Sequence, residues 1–269
     1  MFKRLKNLVL IILFISMIFT LLACNSSKEK DKSTLNPSEI KEQTKDEVVS
    51  LLSKEEQDLV MNKYYKLLTE NKVVGDISDF IDENIGGLDN ENIEIMIVSL
   101  ETYLSTTNSS VDEDYGLLHE YKDYVSDEMK SYLDVIEREA SNIFTDGESL
   151  NVDIVEIMDR AIEAEKHLDE FPEGKIYNKI YDLYGQYIKG ALLGAGNPYI
   201  FAEDGSTIIK EEYLEKYKAV IEKSKSSKTT KILSKYVGVL ENENGDLNSH
   251  SVNEFYDNLD ILIEDMFLR

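Results

Sequence analysis

The sequence predicts an all-α fold, a bundle or irregular array of about eight to nine helices. The 269 residues include only 3 Pro and 13 Gly, so residues that interrupt helices are scarce. Apolar side chains recur every three or four residues through most of the chain, which is the spacing of one buried helix face. No two alternating apolar segments flank a short turn, so no β-hairpin is predicted.

The first 24 residues have the layout of a secretory signal. Lys3, Arg4 and Lys6 precede an uncharged apolar run at residues 8–23. A helix of those 16 residues would be roughly 24 Å long, whereas the hydrocarbon core of a bilayer is about 30 Å thick. The run is therefore expected to be a cleaved signal; an uncleaved membrane-anchoring helix is the alternative.

The only cysteine, Cys24, ends the segment Leu21-Leu22-Ala23-Cys24. This segment resembles the lipobox of bacterial lipoproteins. The resemblance implies a diacylglyceryl group on the Cys24 sulfur, removal of residues 1–23, and a mature chain anchored by its acyl chains on the extracytoplasmic side of the cell membrane. A thiol suits this acylation because its thiolate is a strong nucleophile, and two acyl chains anchor a protein stably. An ordinary signal peptide with an incidental cysteine is the alternative.

The rest of the chain divides into a tether and a folded domain. Residues 24–46 are the lipidated cysteine followed by a polar, charged segment that buries too little apolar surface to fold, which predicts a flexible tether. Residues 47–269 are expected to be a helical extracytoplasmic domain. Their number suffices for one sizeable core or for two small helical subdomains.

Capping boxes and apolar periodicity place the helices in order. Boxes of the form Ser-x-x-Glu begin at Ser53, Ser110 and Ser251, where hydroxyl and carboxylate satisfy unpaired backbone N–H groups. The periodicity predicts helical segments at 92–104, 115–136, 152–168, 176–194, 211–223, 231–240 and 254–267. Glycines at 86–87, 147, 174, 205 and 245 mark turns between them.

Residues 190–198, Gly-Ala-Leu-Leu-Gly-Ala-Gly-Asn-Pro, are rich in small residues. The segment lacks the Gly-Lys-Ser/Thr ending of a phosphate-binding loop. Gly190 and Gly194 are four residues apart, which favours close approach of another helix, and Gly196 is expected to end the helix. A hinge or a narrow ligand slot is the alternative interpretation.

The formal charge of −24 is unevenly distributed. Residues 73–121 hold 12 Asp and Glu and no Lys or Arg, whereas residues 206–240 hold 8 Lys and 4 Glu. Three interpretations are open. Both regions are solvated helix faces, or the acidic region binds cations or a basic partner and the lysine-rich region faces an anionic surface, or the two regions dock against each other within the molecule. The candidate basic patch is Lys223, Lys225, Lys228, Lys231 and Lys235. A chain this acidic is a poor ligand for nucleic acid.

Tyrosine is abundant, with 16 residues and no Trp. Its apolar ring and polar hydroxyl suit both core borders and binding surfaces. If the domain has a binding face, the sequence places it at Tyr177, Tyr181, Tyr184, Tyr187, Tyr199 and Phe201.

Residue patterns typical of catalysis and of metal binding are incomplete. His119-Glu120 begins a His-Glu-x-x-His motif without its second histidine. The acidic turn at residues 82–94 has the glycine of an EF-hand loop at Gly87 but lacks its bidentate glutamate. This turn leaves only weak calcium candidates, which are Asp82, Asn84, Asp89 and Glu91. No catalytic residue, metal site or cofactor is assigned.

Three functions are compatible with these features. The first is a non-catalytic binding or scaffold module for an envelope protein or a cell-wall polymer. The second is a receptor that passes a small solute or cation to a transporter. The third is a helical hydrolase, which would show converging carboxylates with shifted pKa values.

Overall fold

The structure, a computed structural model, describes residues 51–70, 73–107, 116–147, 149–203 and 205–267, and most of these residues are helical. These residues contain no strand and eleven α-helices. In chain order they are α1 Lys54–Thr69, α2 Val74–Asn84, α3 Asn90–Thr107, α4 Gly116–Glu120, α5 Asp127–Ser141, α6 Ile154–Glu170, α7 Tyr177–Leu193, α8 Glu211–Lys223, α9 Lys228–Asn242, α10 His250–Asp257 and α11 Leu259–Phe267. The prediction of an all-α fold is confirmed.

Helix α6 lies at the centre of the helical array. It contacts α5, α7, α8 and α9, and its most extensive contact is with α7. Helices α1 to α3 pack together, and α4 joins α3 to α5. Helix α9 in turn contacts α10 and α11. Leu52–Arg269 form one compact unit, and the buried apolar side chains among its described residues form one cluster.

Tyrosines fill much of this core. The largest fully buried side chains include Tyr64, Tyr132, Tyr184, Tyr187, Tyr217, Tyr236 and Phe201. The Tyr64 hydroxyl donates to the Met96 carbonyl over 2.6 Å, and the Tyr217 hydroxyl donates to the Ala191 carbonyl over 2.8 Å. These two phenols therefore contribute apolar area without leaving their O–H groups unsatisfied.

Two charged side chains of α6 are also buried. Arg160, which is 2% exposed, lies 2.7 Å from Glu139 on α5 and 3.1 Å from Glu156 on its own helix. Glu165, which is 6% exposed, accepts hydrogen bonds from the backbone N–H groups of Lys228 and Thr229 over 2.7 and 2.8 Å. Both charges thus have direct partners, as burial requires.

The predicted helix starts have mixed outcomes. The capping box at Ser53 is confirmed, since the Ser53 backbone N–H donates to Glu56 over 2.9 Å and Ser53 Oγ accepts from the Glu56 N–H. The box at Ser110 lies outside the described residues. The box at Ser251 is wrong: Ser249 caps α10, and the Ser251 hydroxyl donates to Glu243 instead.

Two segments predicted as single helices are each divided in two. In residues 115–136, α4 ends at Glu120, and α5 begins after Ser126, whose hydroxyl accepts from the Met129 N–H. In residues 254–267, α10 and α11 are separated at Asn258, whose side chain donates to a backbone carbonyl. These two divisions and the additional helix α2 explain why the described residues hold more helices than predicted.

The small residues at the end of α7 serve packing and helix termination. A Cβ atom on Gly190 would lie 2.7 Å from Cε2 of Phe144, so the absent side chain makes room for a buried ring rather than for another helix. The helix ends at Gly194, which has a φ of 56° in the left-handed region that glycine favours. Gly196, the predicted terminus, lies beyond the end of the helix.

Two Gly→Ala substitutions in α7 are expected to have opposite effects. Gly190→Ala forces a methyl group against the Phe144 ring and should lower the free energy of unfolding by about 1–3 kcal/mol. Gly185→Ala meets nothing within 4 Å and should raise it by up to about 1 kcal/mol through helix propensity. Urea unfolding followed by circular dichroism at 222 nm measures both. Equal effects of the two substitutions would contradict this packing.

Candidate functional site

The six aromatic residues predicted as a binding face do not share one surface. Tyr184, Tyr187 and Phe201 are at most 1% exposed, so they belong to the core and cannot contact a partner. Tyr199 is 43% exposed but lies outside the groove described below. Only Tyr177 and Tyr181 of the set line that groove.

Tyr184 and Tyr187 contact the helices packed around α7. The Tyr187 hydroxyl donates to Glu139 over 2.9 Å, and the Tyr184 hydroxyl lies 3.3 Å from Thr229 Oγ1 on α9. Burial raises the pKa of both phenols far above the ordinary value of tyrosine, because the phenolate would be desolvated. These two hydroxyls are structural hydrogen-bonding groups.

An open groove of about 510 Å³ lies between α7 and α11. Its α7 side presents Tyr177, Tyr181 and Asp182, and its α11 side presents Glu264 and Phe267. The other lining residues are Asn178, Gly185, Gln186, Lys189, Asp260 and Ile263. We call this feature the α7–α11 groove.

Aromatic rings form one part of the α7–α11 groove. Tyr177 and Tyr181 are stacked with ring centroids 6.2 Å apart, as expected for residues four apart on one helix. Phe267 meets Tyr181 edge-on at 5.7 Å and the buried Tyr184 at 5.0 Å. The Lys228 ammonium lies 4.6 Å from the centroid of the Phe267 ring. The Phe267 ring is therefore held from two sides.

Acidic side chains form the other part of the α7–α11 groove. The Lys189 ammonium lies 2.6 Å from the Asp260 carboxylate, and this ion pair joins α7 to α11. Asp182 and Glu264 have no ion-pair partner within the described ranges. Burial raises the pKa of Tyr181, and the negative charge of Glu264 adds to the effect. The groove therefore offers aromatic faces beside a net negative charge.

Part of the candidate basic patch is neutralised by α6. The Lys223 ammonium is 2.8 Å from Asp159, and Lys228 forms an ion pair with Asp169. The two lysines thus contact acids of the central helix, not acids of residues 73–121. The interpretation that the lysine-rich region docks against residues 73–121 is therefore wrong for these two residues, because their ion-pair partners lie on α6.

The other three lysines of the patch lie closer to solvent. Lys225 pairs with Glu222 over 2.7 Å at the end of α8. Lys231 and Lys235 are exposed on α9 and lack an ion-pair partner in the described part of the chain. Lys235 borders a shallower groove between α9 and the helix pair α10–α11. The five lysines therefore do not form a continuous free surface for an anionic ligand.

The acidic stretch at residues 73–121 is partly neutralised by lysines near α7. Glu94 lies 3.7 Å from Lys175 and also accepts from the Ser126 backbone N–H. Glu101 forms an ion pair with Lys179 and accepts a hydrogen bond from Tyr132 over 2.9 Å. These contacts attach α3 to α5 and to the start of α7.

The predicted weak calcium ligands do not converge on one point. They are Asp82, Asn84, Asp89 and Glu91. Asp89 accepts a hydrogen bond from the Asn92 backbone N–H at the start of α3, and Glu91 lies 3.8 Å from Lys175. Their carboxylates do not belong to any group of three potential ligands within the described ranges. Calcium binding at this turn stays a prediction.

One cluster that the sequence analysis missed combines a histidine with two acids. His119 on α4 lies against Asp134 and Glu137 on α5, and one potential ligand atom of each residue lies within 4.8 Å of the others. The spacing of three residues between the two acids places them on one helix face. That spacing was visible in the sequence, but the approach of α4 was not.

His167, by contrast, is a buried structural residue. Its Nδ1 lies 2.9 Å from the Ser131 hydroxyl, and its ring is 5.2 Å from that of Phe171. Burial lowers the pKa of its imidazole because the charged form is desolvated. The neutral ring therefore joins α6 to α5.

Comparisons with family models, with curated proteins and with solved structures gave no match. None of the helices in the described ranges is both long and apolar enough to span a membrane. The segment around Cys24 lies outside the described residues. Function must therefore be inferred from the residues and surfaces of this chain.

Proposed function

We propose that the chain is a lipid-anchored extracytoplasmic protein whose helical domain is a non-catalytic binding module for a protein of the cell envelope. The anchor rests on the basic, apolar and lipobox-like segments that end at Cys24. The binding role rests on one observation, the aromatic and acidic α7–α11 groove. The partner is expected to present a basic segment to this groove.

The chemistry of the groove favours lysine or arginine side chains. The tyrosine rings at 177 and 181 offer π faces to a cation. Asp182 and Glu264 supply negative charge, and no lysine or arginine in the described ranges forms an ion pair with either of them. The aliphatic stem of a bound lysine or arginine would cover the rings while its charged end meets the carboxylates.

The groove is also suited to a protein surface. Tyrosine is enriched at protein–protein interfaces, because a rigid ring buries apolar area and still offers a hydroxyl. The excess of acid in the whole chain, with a net charge of −24, would accelerate encounter with a basic partner. Association should therefore weaken as the ionic strength rises.

The alternative function is a receptor for a small cationic solute that feeds a transporter. A groove of about 510 Å³ is within the size range of small-molecule sites, about 300–1,000 Å³. Spermidine is a suitable probe, since it joins apolar stems to amines. A thermal shift with spermidine that disappears on charge reversal of the groove, with no protein crosslinked, would favour the receptor.

Attachment of lipid is tested by growing cells that express the full chain with an alkyne analogue of palmitate. The wild-type chain is expected to incorporate the analogue and to sediment with membranes. Cys24→Ser removes the acylated sulfur, so it should abolish labelling. A labelled Cys24→Ser chain, or an unlabelled wild type beside a labelled control lipoprotein, would contradict the lipid anchor.

The groove is tested by in-cell photocrosslinking of the full chain. A photoreactive amino acid in place of Gln186, which lines the groove, should crosslink an envelope protein that carries a basic segment. The same amino acid in place of Lys63, exposed on α1, should not capture that protein. Asp182→Lys with Glu264→Lys should reduce the crosslinked product at least tenfold, because the substitutions reverse the local charge.

A matched variant separates local from overall charge. Glu55→Lys with Asp58→Lys makes the same change in net charge on the exposed face of α1. This variant should crosslink as well as the wild type. Equal losses in both double variants would refute a role for the groove, as would a crosslinked product that persists after reversal of the groove charges.

A further inference from the structure

The histidine–carboxylate cluster between α4 and α5 has the composition of a transition-metal site. Imidazole nitrogen and carboxylate oxygen are ligands of zinc and of related divalent metals. Asp134 and Glu137 project from one face of α5, and His119 approaches them from α4. Three protein ligands leave a position for water, as in open zinc sites.

The contact between His119 and Glu137 is close but is not a hydrogen bond. Nδ1 of His119 lies 3.0 Å from Oε2 of Glu137. That nitrogen is shielded from solvent and makes no hydrogen bond within the described residues, so the contact lacks hydrogen-bond geometry. The ring nitrogen thus faces the carboxylates without the partner that a buried polar atom normally has.

The distance suits two ligands that share a metal ion. Zinc–nitrogen and zinc–oxygen bonds are about 2.0–2.2 Å long, so a nitrogen and an oxygen 3.0 Å apart would subtend an angle of about 90° at the ion. All three potential ligand atoms lie within 4.8 Å of one another, so the Asp134 oxygen needs to move inward. The side chains of His119 and Glu137 are 41% and 47% exposed, which leaves them room to adjust.

We propose that His119, Asp134 and Glu137 bind one divalent transition-metal ion of the zinc class. This site is independent of the α7–α11 groove and of the lipid anchor. The imidazole favours zinc over calcium and magnesium, which prefer sets of oxygen ligands alone. Bound metal would join α4 to α5.

Lys122 competes with the metal for Asp134. Its ammonium pairs with Asp134 in the structure, so a metal ion must displace this cation before the carboxylate is free to coordinate. Replacing the lysine by a neutral side chain should therefore tighten binding. If the cluster served only to hold α4 against α5, replacing Lys122 would not tighten metal binding.

Isothermal titration of the purified protein with Zn²⁺ tests the site. The wild type is expected to bind one equivalent in its tightest step. His119→Gln and Glu137→Gln should each weaken that step at least tenfold, and Lys122→Gln should strengthen it. His250→Gln removes an exposed histidine elsewhere and should leave it unchanged. Circular dichroism confirms that each variant is folded.

Several outcomes would overturn the proposal. One is the absence of a stoichiometric zinc step in the wild type. Another is a step that survives His119→Gln, which would assign the zinc to the many surface acids. A third is displacement of the zinc by equimolar Ca²⁺, because that indicates a site made of oxygen ligands. Unchanged binding in all the cluster variants would leave the contact between His119 and Glu137 as an ion pair only.

Discussion

The buried carboxylate of Glu165 is the contact on which the arrangement of the C-terminal helices depends. It lies on the central helix α6 and accepts hydrogen bonds from the N–H groups of Lys228 and Thr229 and from the Thr229 hydroxyl. The N-terminus of a helix has unsatisfied N–H donors and a partial positive charge, so a carboxylate satisfies both there. Glu165 therefore fixes where α9 begins relative to α6.

The position of α9 in turn affects the α7–α11 groove. Lys228, in the first turn of α9, holds its ammonium near the ring of Phe267, and Phe267 lines the groove. Thr229 contacts both Glu165 and Tyr184, whose ring packs against Phe267 as well. A chain of direct contacts thus joins the buried carboxylate to the aromatic part of the groove.

The helical class was predictable because it depends on local spacing, whereas the site was not, because it depends on which helices meet. Periodicity identified the buried face of α7, yet it did not distinguish Tyr184 in the core from Tyr181 in the groove. Both lie on that helix and both contact Phe267 of α11, but only Tyr184 also meets Thr229 of α9. The breaks at Ser126 and Asn258 arise from side-chain caps inside segments with continuous apolar spacing. His119 had no ligand partner nearby in sequence because its neighbours come from another helix.

Hydrogen–deuterium exchange of the purified Glu165→Ala variant tests the dependence of the groove on this carboxylate most directly. Loss of the acceptor leaves two N–H groups of α9 unsatisfied, at a cost of about 1–3 kcal/mol each. We expect at least tenfold faster exchange at the start of α9 and in α11, with α1 unchanged. Glu163 lies on α6 like Glu165, and Glu163→Ala removes only a half-exposed ion pair with Arg138 of α5, so it should leave all three regions protected. Unchanged protection of α9 and α11 in Glu165→Ala would contradict the account.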